Sequence, residues 1–185
     1  MPIQVYSFYI FDRHTECIYS KLWLARPTPV AGGLTSPPSS RPQSQQPTTA
    51  GTPTTTTAPP PPAAAVAPSP RQKKASDDDA KLIFGTVFSL RNMVRKLGGE
   101  DDAFIAYRTQ HYKLHYYETP TNLRFAMLTE PGALSMRNVL HQIYINLWVE
   151  YVVKNPLSPV EHKGGEGVRN EMFEMGLDKF IRGLM

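Results

Sequence analysis

The sequence contains a single cysteine, Cys17, among its 185 residues. One cysteine excludes a framework of internal disulfide bonds and is typical of a protein from a reducing compartment. Cys17 lies within a run of β-branched and aromatic residues, where cysteine is usually a small buried hydrophobic side chain. We therefore expect a structural role for this residue.

The sequence also lacks a long hydrophobic run. Its longest apolar stretch after the N-terminal region, 139–153, is interrupted by His141, Gln142, Asn146 and Glu150, whereas a membrane-spanning helix needs about 20 nearly uninterrupted apolar residues. No basic region precedes the N-terminal apolar run, which therefore does not resemble a signal peptide. We expect a cytoplasmic protein that reaches membranes only peripherally, through its partners.

Clustered basic residues are missing as well, although the formal net charge is +4. The densest basic group, Arg71, Lys73 and Lys74, is followed within three residues by the acidic run 77–79. Proteins that bind nucleic acids usually present a basic face or stripe. We therefore expect no nucleic-acid partner.

Motifs for catalysis and metal binding are also missing. His111 and His115 are the closest histidine pair, but four residues of a strand span about 13 Å, which is too far for the two rings to share one ion. The glycine cluster at 164–167 lacks both the Lys-Ser/Thr pair and the preceding strand of a phosphate-binding loop. We expect no catalytic residue, no metal and no cofactor. A small enzyme whose site is assembled from distant segments remains an alternative, which a bound metal or nucleotide in the purified chain would support.

Proline is abundant in one segment of the chain. Thirteen of the 18 prolines lie between residues 27 and 70, in a stretch with one charged residue and no aromatic residue. Such a stretch cannot bury enough apolar surface to offset its ordering entropy. We expect a disordered Pro/Thr/Ser-rich insert at 27–70 within a single domain formed by 1–26 and 71–185. Its proline tracts are either plain disorder, which we favour, or ligands of SH3 or WW domains.

The remaining sequence shows strand and helix patterns in the order ββαβββαα. The strands are predicted at 3–11, 17–24, 103–109, 112–118 and 123–129, and the helices at 77–97, 136–154 and 168–184. In the first strand both alternating sets of side chains are apolar, which predicts burial on both faces. The acidic run 77–79 predicts the start of the first helix, and Ser135 is the predicted N-cap of the second. Hairpin connections predict an α+β fold, with a mostly antiparallel five-stranded sheet and three helices on its two faces.

The first helix carries two stripes of side chains. Its core face is predicted from spacings of three and four residues: Ile83, Val87, Leu90, Val94 and Leu97. A second stripe lies at about a right angle or more to it: Phe84, Phe88, Arg91 and Arg95. The second stripe is either the rim of a wide core face with a solvated basic edge, or a partner surface, since aromatic residues and arginine are enriched in interfaces. As a candidate partner interface we take this stripe together with Trp148 and Val152.

One segment carries a family resemblance: Tyr112, Lys113, Leu114, His115, Tyr116, Tyr117, Glu118, Thr119 and Pro120, followed by Thr121. It resembles the strand-turn signature of the subunit 1 type among the sybindin-type small subunits of the TRAPP vesicle-tethering complex. Three further stretches agree with this resemblance: 11–13, 90–91 and 152–157. The long insert at 27–70 departs from the family pattern and indicates a fungal-type member.

The resemblance implies a longin-like fold, with one helix on one face of a five-stranded antiparallel sheet and two on the other. It also implies a non-catalytic core subunit of a complex that tethers vesicles in ER-to-Golgi transport and acts as a guanine-nucleotide exchange factor. The implied partners are other small TRAPP subunits and a Rab-type GTPase of the early secretory pathway, at early Golgi and ER-derived membranes. The alternative within this fold is a regulatory domain of membrane-fusion or coat proteins, for which we would expect an additional heptad segment or membrane anchor.

Overall fold

The computed structural model describes residues 2–25, 70–99, 102–162, 168 and 170–185, and only the backbone for 70–76. The predicted disordered insert, 27–70, lies outside these residues except for Pro70. The pieces of sequence before and after the insert both contribute strands to the same sheet.

A five-stranded antiparallel sheet forms the centre of the fold. Its strands are β1 (Val5–Phe11), β2 (Cys17–Leu22), β3 (Ala106–Arg108), β4 (Lys113–Glu118) and β5 (Arg124–Thr129). Neighbouring strands pair in the order β2-β1-β5-β4-β3, so β1 and β5 lie side by side although they are distant in sequence. Every residue of β1 is buried, which confirms the prediction of a strand covered on both faces.

Helices cover both faces of the sheet. They are α1 (Pro70–Gly98), α2 (Arg137–Ile143) and α3 (Glu171–Arg182), and α2 continues directly into a π-helical segment, Tyr144–Val153. On one face Ile83 and Val87 of α1 share a core with residues of β1, β4 and β5. On the other face α2, the π segment and α3 share a larger core with Phe8 and Phe125. The predicted α+β arrangement, with one helix on one face and two on the other, is confirmed.

The start of α1 differs from the prediction. The acidic run 77–79 predicts the N-terminus, but α1 begins at Pro70. Proline is favoured at the first helical position because the N–H that it lacks has no intrahelical partner there and its φ angle is already helical. The acidic run therefore lies inside the helix. The predicted end is confirmed, since α1 ends at Gly98 and Gly99 has φ +98°, a left-handed conformation that suits glycine after a helix.

The predicted N-cap of the second helix is wrong. Met136 rather than Ser135 precedes α2, and no side chain caps the helix. The backbone N–H of Met136 instead donates to Nδ1 of His115, at 3.4 Å. After Ile143 the chain changes to π-helical winding, with i→i+5 hydrogen bonds such as that from the Lys154 N–H to the Val149 carbonyl, at 2.9 Å.

Most strands are one or two residues shorter than their sequence patterns, and β3 and α3 differ more. β3 includes three residues, whereas its pattern covers 103–109. α3 begins at Glu171, because the side chain of Asn170 accepts hydrogen bonds from the backbone N–H groups of Met172 and Phe173, at 3.0 and 3.3 Å. Asparagine in this position is a favoured N-cap.

Candidate partner-binding site along α1

The four α1 residues predicted as a partner surface lie along one edge of the helix, beside its core face. We call Phe84, Phe88, Arg91 and Arg95 the α1 edge. The ring of Phe84 contacts those of Phe11 and Phe88, at centroid distances of 5.3 and 5.9 Å. Spacings of four, three and four residues place all four side chains on one side of a helix.

Half of the α1 edge is fixed by contacts within the chain. Nε of Arg91 donates to Oε2 of Glu118 at 2.7 Å, and Nε of Arg124 approaches Oε1 of the same carboxylate at 3.4 Å. The Arg124 guanidinium also lies 6.0 Å from the ring centroid of Phe84. The hydrogen bond to Glu118 raises the pKa of Arg91. Phe84 and Arg91 therefore connect α1 to the ends of β4 and β5.

The other half of the α1 edge faces outward. The side chain of Phe88 is 49% exposed, and Arg95 is exposed as well. Among the described residues, Arg95 has no salt bridge. An exposed aromatic ring beside an unpaired guanidinium is typical of the residues that anchor protein interfaces.

A groove of about 420 Å³ opens beside this outward half. Arg91 and Arg95 form its wall on the α1 side, and the opposite wall includes Arg137, the first residue of α2. Tyr116 and Glu118 of β4 also line it. The groove is therefore a polar depression at the end of the sheet, between α1 and the start of α2.

Tyr116 lines the groove and is buried, at 3% exposure, as is Thr119. The Tyr116 hydroxyl has no hydrogen-bond partner among the described residues, although Glu118 and Arg91 are close enough to influence its pKa. Burial, and after it the charge of Glu118, raises the pKa of Tyr116, so the hydroxyl stays protonated at neutral pH. A buried hydroxyl without a partner is unfavourable. It can be satisfied by an acceptor that enters the groove.

Comparison with known proteins decides the family of the chain. Residues 5–184 match the Sybindin-like family. This chain belongs to the Sybindin-like family. It is 38% identical over 184 residues to transport protein particle subunit bet5 of Schizosaccharomyces pombe, and the alignment covers 97% of each chain.

Two further relatives extend the comparison. The trafficking protein particle complex subunit BET5 of Saccharomyces cerevisiae is 29% identical over 177 residues, which are 95% of this chain and 86% of the relative. The human trafficking protein particle complex subunit 1 is 47% identical over 106 residues, which are 56% of this chain and 70% of the relative. These matches confirm the family resemblance seen in the sequence. Membership of the Sybindin-like family also agrees with the longin-like arrangement of the sheet and helices.

Most of the segment that carries the family resemblance, 112–120, has a structural role in β4 and the turn after it. Nζ of Lys113 donates to the Ala133 carbonyl at 2.8 Å, and the Tyr117 hydroxyl lies 2.7 Å from Nδ1 of His141. Oγ1 of Thr119 accepts a hydrogen bond from the Leu123 N–H, at 3.1 Å, and so closes the turn. The first half of the segment faces the two cores alternately, as expected of a strand buried on both faces.

The predicted interface is wrong for Trp148 and Val152. They are 6% and 5% exposed and belong to the chain's own core. The Trp148 ring packs edge-on against Phe125 and Phe173, at centroid distances of 6.3 and 5.8 Å. The π segment explains this burial, because π-helical winding brings residues five apart close to the same side. Trp148 therefore follows the buried Ile143 of α2 into the core, and Val152 lies on the same side.

Other kinds of site receive no support from the described part of the chain. No described helix is long and apolar enough to cross a membrane, and no group of three or more potential ligands in these ranges could hold a metal. Cys17 is half-buried, and its Sγ donates to the Tyr19 carbonyl at 3.3 Å. Burial raises the pKa of its thiol to about 11, which fits the predicted structural role.

Sequence reasoning missed three groove residues as part of the candidate interface: Tyr116, Glu118 and Arg137. A signal for two of them exists in β4, because Leu114, Tyr116 and Glu118 alternate and must lie on the same face. Leu114 is buried against α1, so Glu118 had to lie on the α1 side as well. No signal places Arg137 there, since its position depends on the path between β5 and α2.

Proposed function

We propose that this chain is a non-catalytic core subunit of the TRAPP vesicle-tethering complex. The observation that carries the proposal is the match over 97% of both chains to a protein named as a transport protein particle subunit. A second relative, the human protein, is named as a trafficking protein particle complex subunit. The outward half of the α1 edge is the surface through which the chain would dock to another small subunit of the complex.

Within that assembly the chain would support nucleotide exchange on a Rab-type GTPase in ER-to-Golgi transport. Exchange requires only that the factor binds the nucleotide-free GTPase more tightly than the nucleotide-bound form. A docking surface is sufficient for this task, so the proposed role needs neither a catalytic residue nor a cofactor. The complex would bring the chain to early Golgi and ER-derived membranes peripherally, from the cytoplasm.

Copurification of the tagged full-length chain tests this proposal. Phe88→Glu places a charge on the outward half of the α1 edge, and Leu134→Glu is the matched control, since Leu134 is 78% exposed in the loop before α2. Phe84→Glu is unsuitable because the Phe84 ring packs against Phe11 and Arg124. Mass spectrometry should find other small TRAPP subunits with the wild type and the control, and fewer with Phe88→Glu, while circular dichroism stays unchanged.

Two outcomes would overturn the parts of the proposal separately. A wild-type chain that brings down no TRAPP subunit would refute membership of the complex. Full recovery of every subunit by Phe88→Glu would refute the α1 edge as the docking surface. The exchange role is tested by release of labelled GDP from the Rab GTPase, which should be slower with a core assembled without this chain.

For the insert, we propose that 27–69 is a disordered segment that interrupts a single domain, since Pro70 already belongs to α1. Lengthening a loop costs little, about 0.6 kcal/mol for each doubling. Deletion of residues 29–68 should therefore leave copurification and exchange unchanged. Loss of a particular partner on deletion would instead indicate that the proline tracts bind it.

A further inference from the structure

The groove beside the α1 edge has a defined charge. Three arginines line it, Arg91, Arg95 and Arg137, together with the carboxylates of Asp102 and Glu118. Arg91 is paired with Glu118. Arg124 pairs with the same carboxylate. The described lining and Arg124 together therefore have excess positive charge, which attracts a carboxylate.

Hydrogen-bond donors for such a carboxylate are already in position. The Tyr116 hydroxyl is buried and makes no hydrogen bond of ordinary length and angle to a described residue, although the carboxylate of Glu118 lies nearby. Arg95 and Arg137 line the same groove, and neither forms a salt bridge with any residue that the structure describes. Guanidinium groups and a phenolic hydroxyl all donate hydrogen bonds to carboxylate oxygens.

An apolar contact lies directly beside the groove. Phe88 is seven residues before Arg95, so the two side chains lie on the same side of α1, and its ring is 49% exposed. Stacking on Phe84 at 5.9 Å holds this ring in place. A protein segment with an acidic side chain next to an apolar one would therefore fill the groove and cover Phe88 together.

We propose that the groove accepts an aspartate or glutamate side chain of a neighbouring protein subunit, held by Arg95, Arg137 and the Tyr116 hydroxyl. An apolar side chain of the same partner covers Phe88. This proposal deepens the function proposed above and rests on it, because it gives the chemistry of the partner that docks on the α1 edge.

Removal of the Tyr116 hydroxyl tests the proposal, and removal of the Tyr19 hydroxyl is the control. Tyr116→Phe deletes the donor in the groove, and Tyr19→Phe deletes another buried hydroxyl without a partner, on the opposite face of the sheet. Neither variant should lose much stability, because neither hydroxyl makes a hydrogen bond of ordinary length and angle to a described residue. Affinity for the copurified partner subunit should fall roughly tenfold for Tyr116→Phe, the value of about one good hydrogen bond, and stay unchanged for Tyr19→Phe.

Cross-linking identifies the acidic side chain directly. Arg95→Lys keeps the charge and adds an amine, which a carbodiimide joins to a contacting carboxylate as an amide with loss of water. Mass spectrometry of the treated complex should show a link from position 95 to an aspartate or glutamate of the partner. Lys96 is the internal control, since it is exposed and about 100° further around the helix, so its links should be the same in wild type and variant.

The outcomes separate this proposal from the proposed function. If the wild type assembles with TRAPP subunits while Tyr116→Phe binds them with unchanged affinity and position 95 gives no link, the acidic partner is refuted and the subunit role stands. If the wild type assembles with no TRAPP subunit, the proposed function fails first. Binding of the wild type, but not of Arg95→Glu, to phosphatidylserine vesicles, with assembly intact in both, would assign the groove to a membrane and also refute the proposal.

Discussion

His115 gives the sharpest prediction for the stability of the fold. The side chain is 1% exposed and connects β4, β5 and the start of α2. Its Nδ1 accepts the Met136 N–H, at 3.4 Å, so the proton of the neutral ring is on Nε2, which lies 2.9 Å from Oγ1 of Thr129. Protonation would turn Nδ1 into a second donor facing the Met136 N–H, and the hydrogen bond to α2 would be lost.

The pKa of His115 follows from these surroundings. Burial, and after it the positive charge of Lys113, lowers the pKa from 6.5 to about 4. Between these values the unfolded chain binds a proton that the folded chain does not bind, so the stability is full above pH 6.5 and is lost as the pH falls toward 4. The loss from this residue is about 2 kcal/mol by pH 5 and about 3 kcal/mol in total.

Urea unfolding at pH 7 and pH 5 measures this effect in the isolated chain. From pH 7 to pH 5 the free energy of unfolding should fall by about 2 kcal/mol more for the wild type than for His115→Gln, because glutamine does not titrate. His14→Gln is the control, because His14 is exposed in the β1–β2 turn. The free energy of unfolding of this variant should fall as much as that of the wild type. Equal losses for the wild type and His115→Gln would refute the reasoning. If His115→Gln does not fold, the NMR titration of the native His115 ring decides, since a midpoint near 6.5 contradicts the buried neutral form.

Three further predictions concern other parts of the fold. Leu140→Ala should lower the free energy of unfolding by about 2–5 kcal/mol, measured by urea titration, because Leu140 is fully buried. Asp178→Ala should lower it by roughly 1–3 kcal/mol, since its carboxylate accepts from Trp23 Nε1 at 2.9 Å and pairs with Lys21 at 3.2 Å; an unchanged urea midpoint would contradict this link between β2 and α3. Cys17, whose pKa is about 11, should react with iodoacetamide at neutral pH roughly a hundredfold more slowly in the native chain than in urea, and equal rates would show that the thiol is not buried.

The sequence predicts the order of the elements because the residues in each segment follow a clear period. Both alternating sets of β1 are apolar, and the strand is buried on both faces. The apolar spacing in α1 correctly places Ile83 and Val87 in the core. Leu97 continues the same spacing but is 83% exposed, one residue before α1 ends. Periodicity gives the face of a helix, but not the length over which that face is covered.

The same limit explains which parts of the candidate site could be predicted. The α1 edge follows from sequence spacing alone, since four residues of one helix have fixed angles around its axis. Its division into a fixed half and an outward half could not be predicted, because the pair between Arg91 and Glu118 depends on where α1 crosses the end of β4. The burial of Trp148 and Val152 depends on π-helical winding, which an analysis with a period of 3.6 does not detect.

The fixed half of the α1 edge also affects what the outward half can do. Binding costs free energy for each side chain that must be immobilised, and surfaces that are already ordered lose less. Glu118 holds Arg91 and Arg124, Arg124 lies over Phe84, and Phe84 stacks with Phe88. The exposed Phe88 ring is thus supported by a chain of contacts that begins at a partly buried carboxylate. Residues of the α1 edge that no partner touches can therefore still determine how tightly a partner binds.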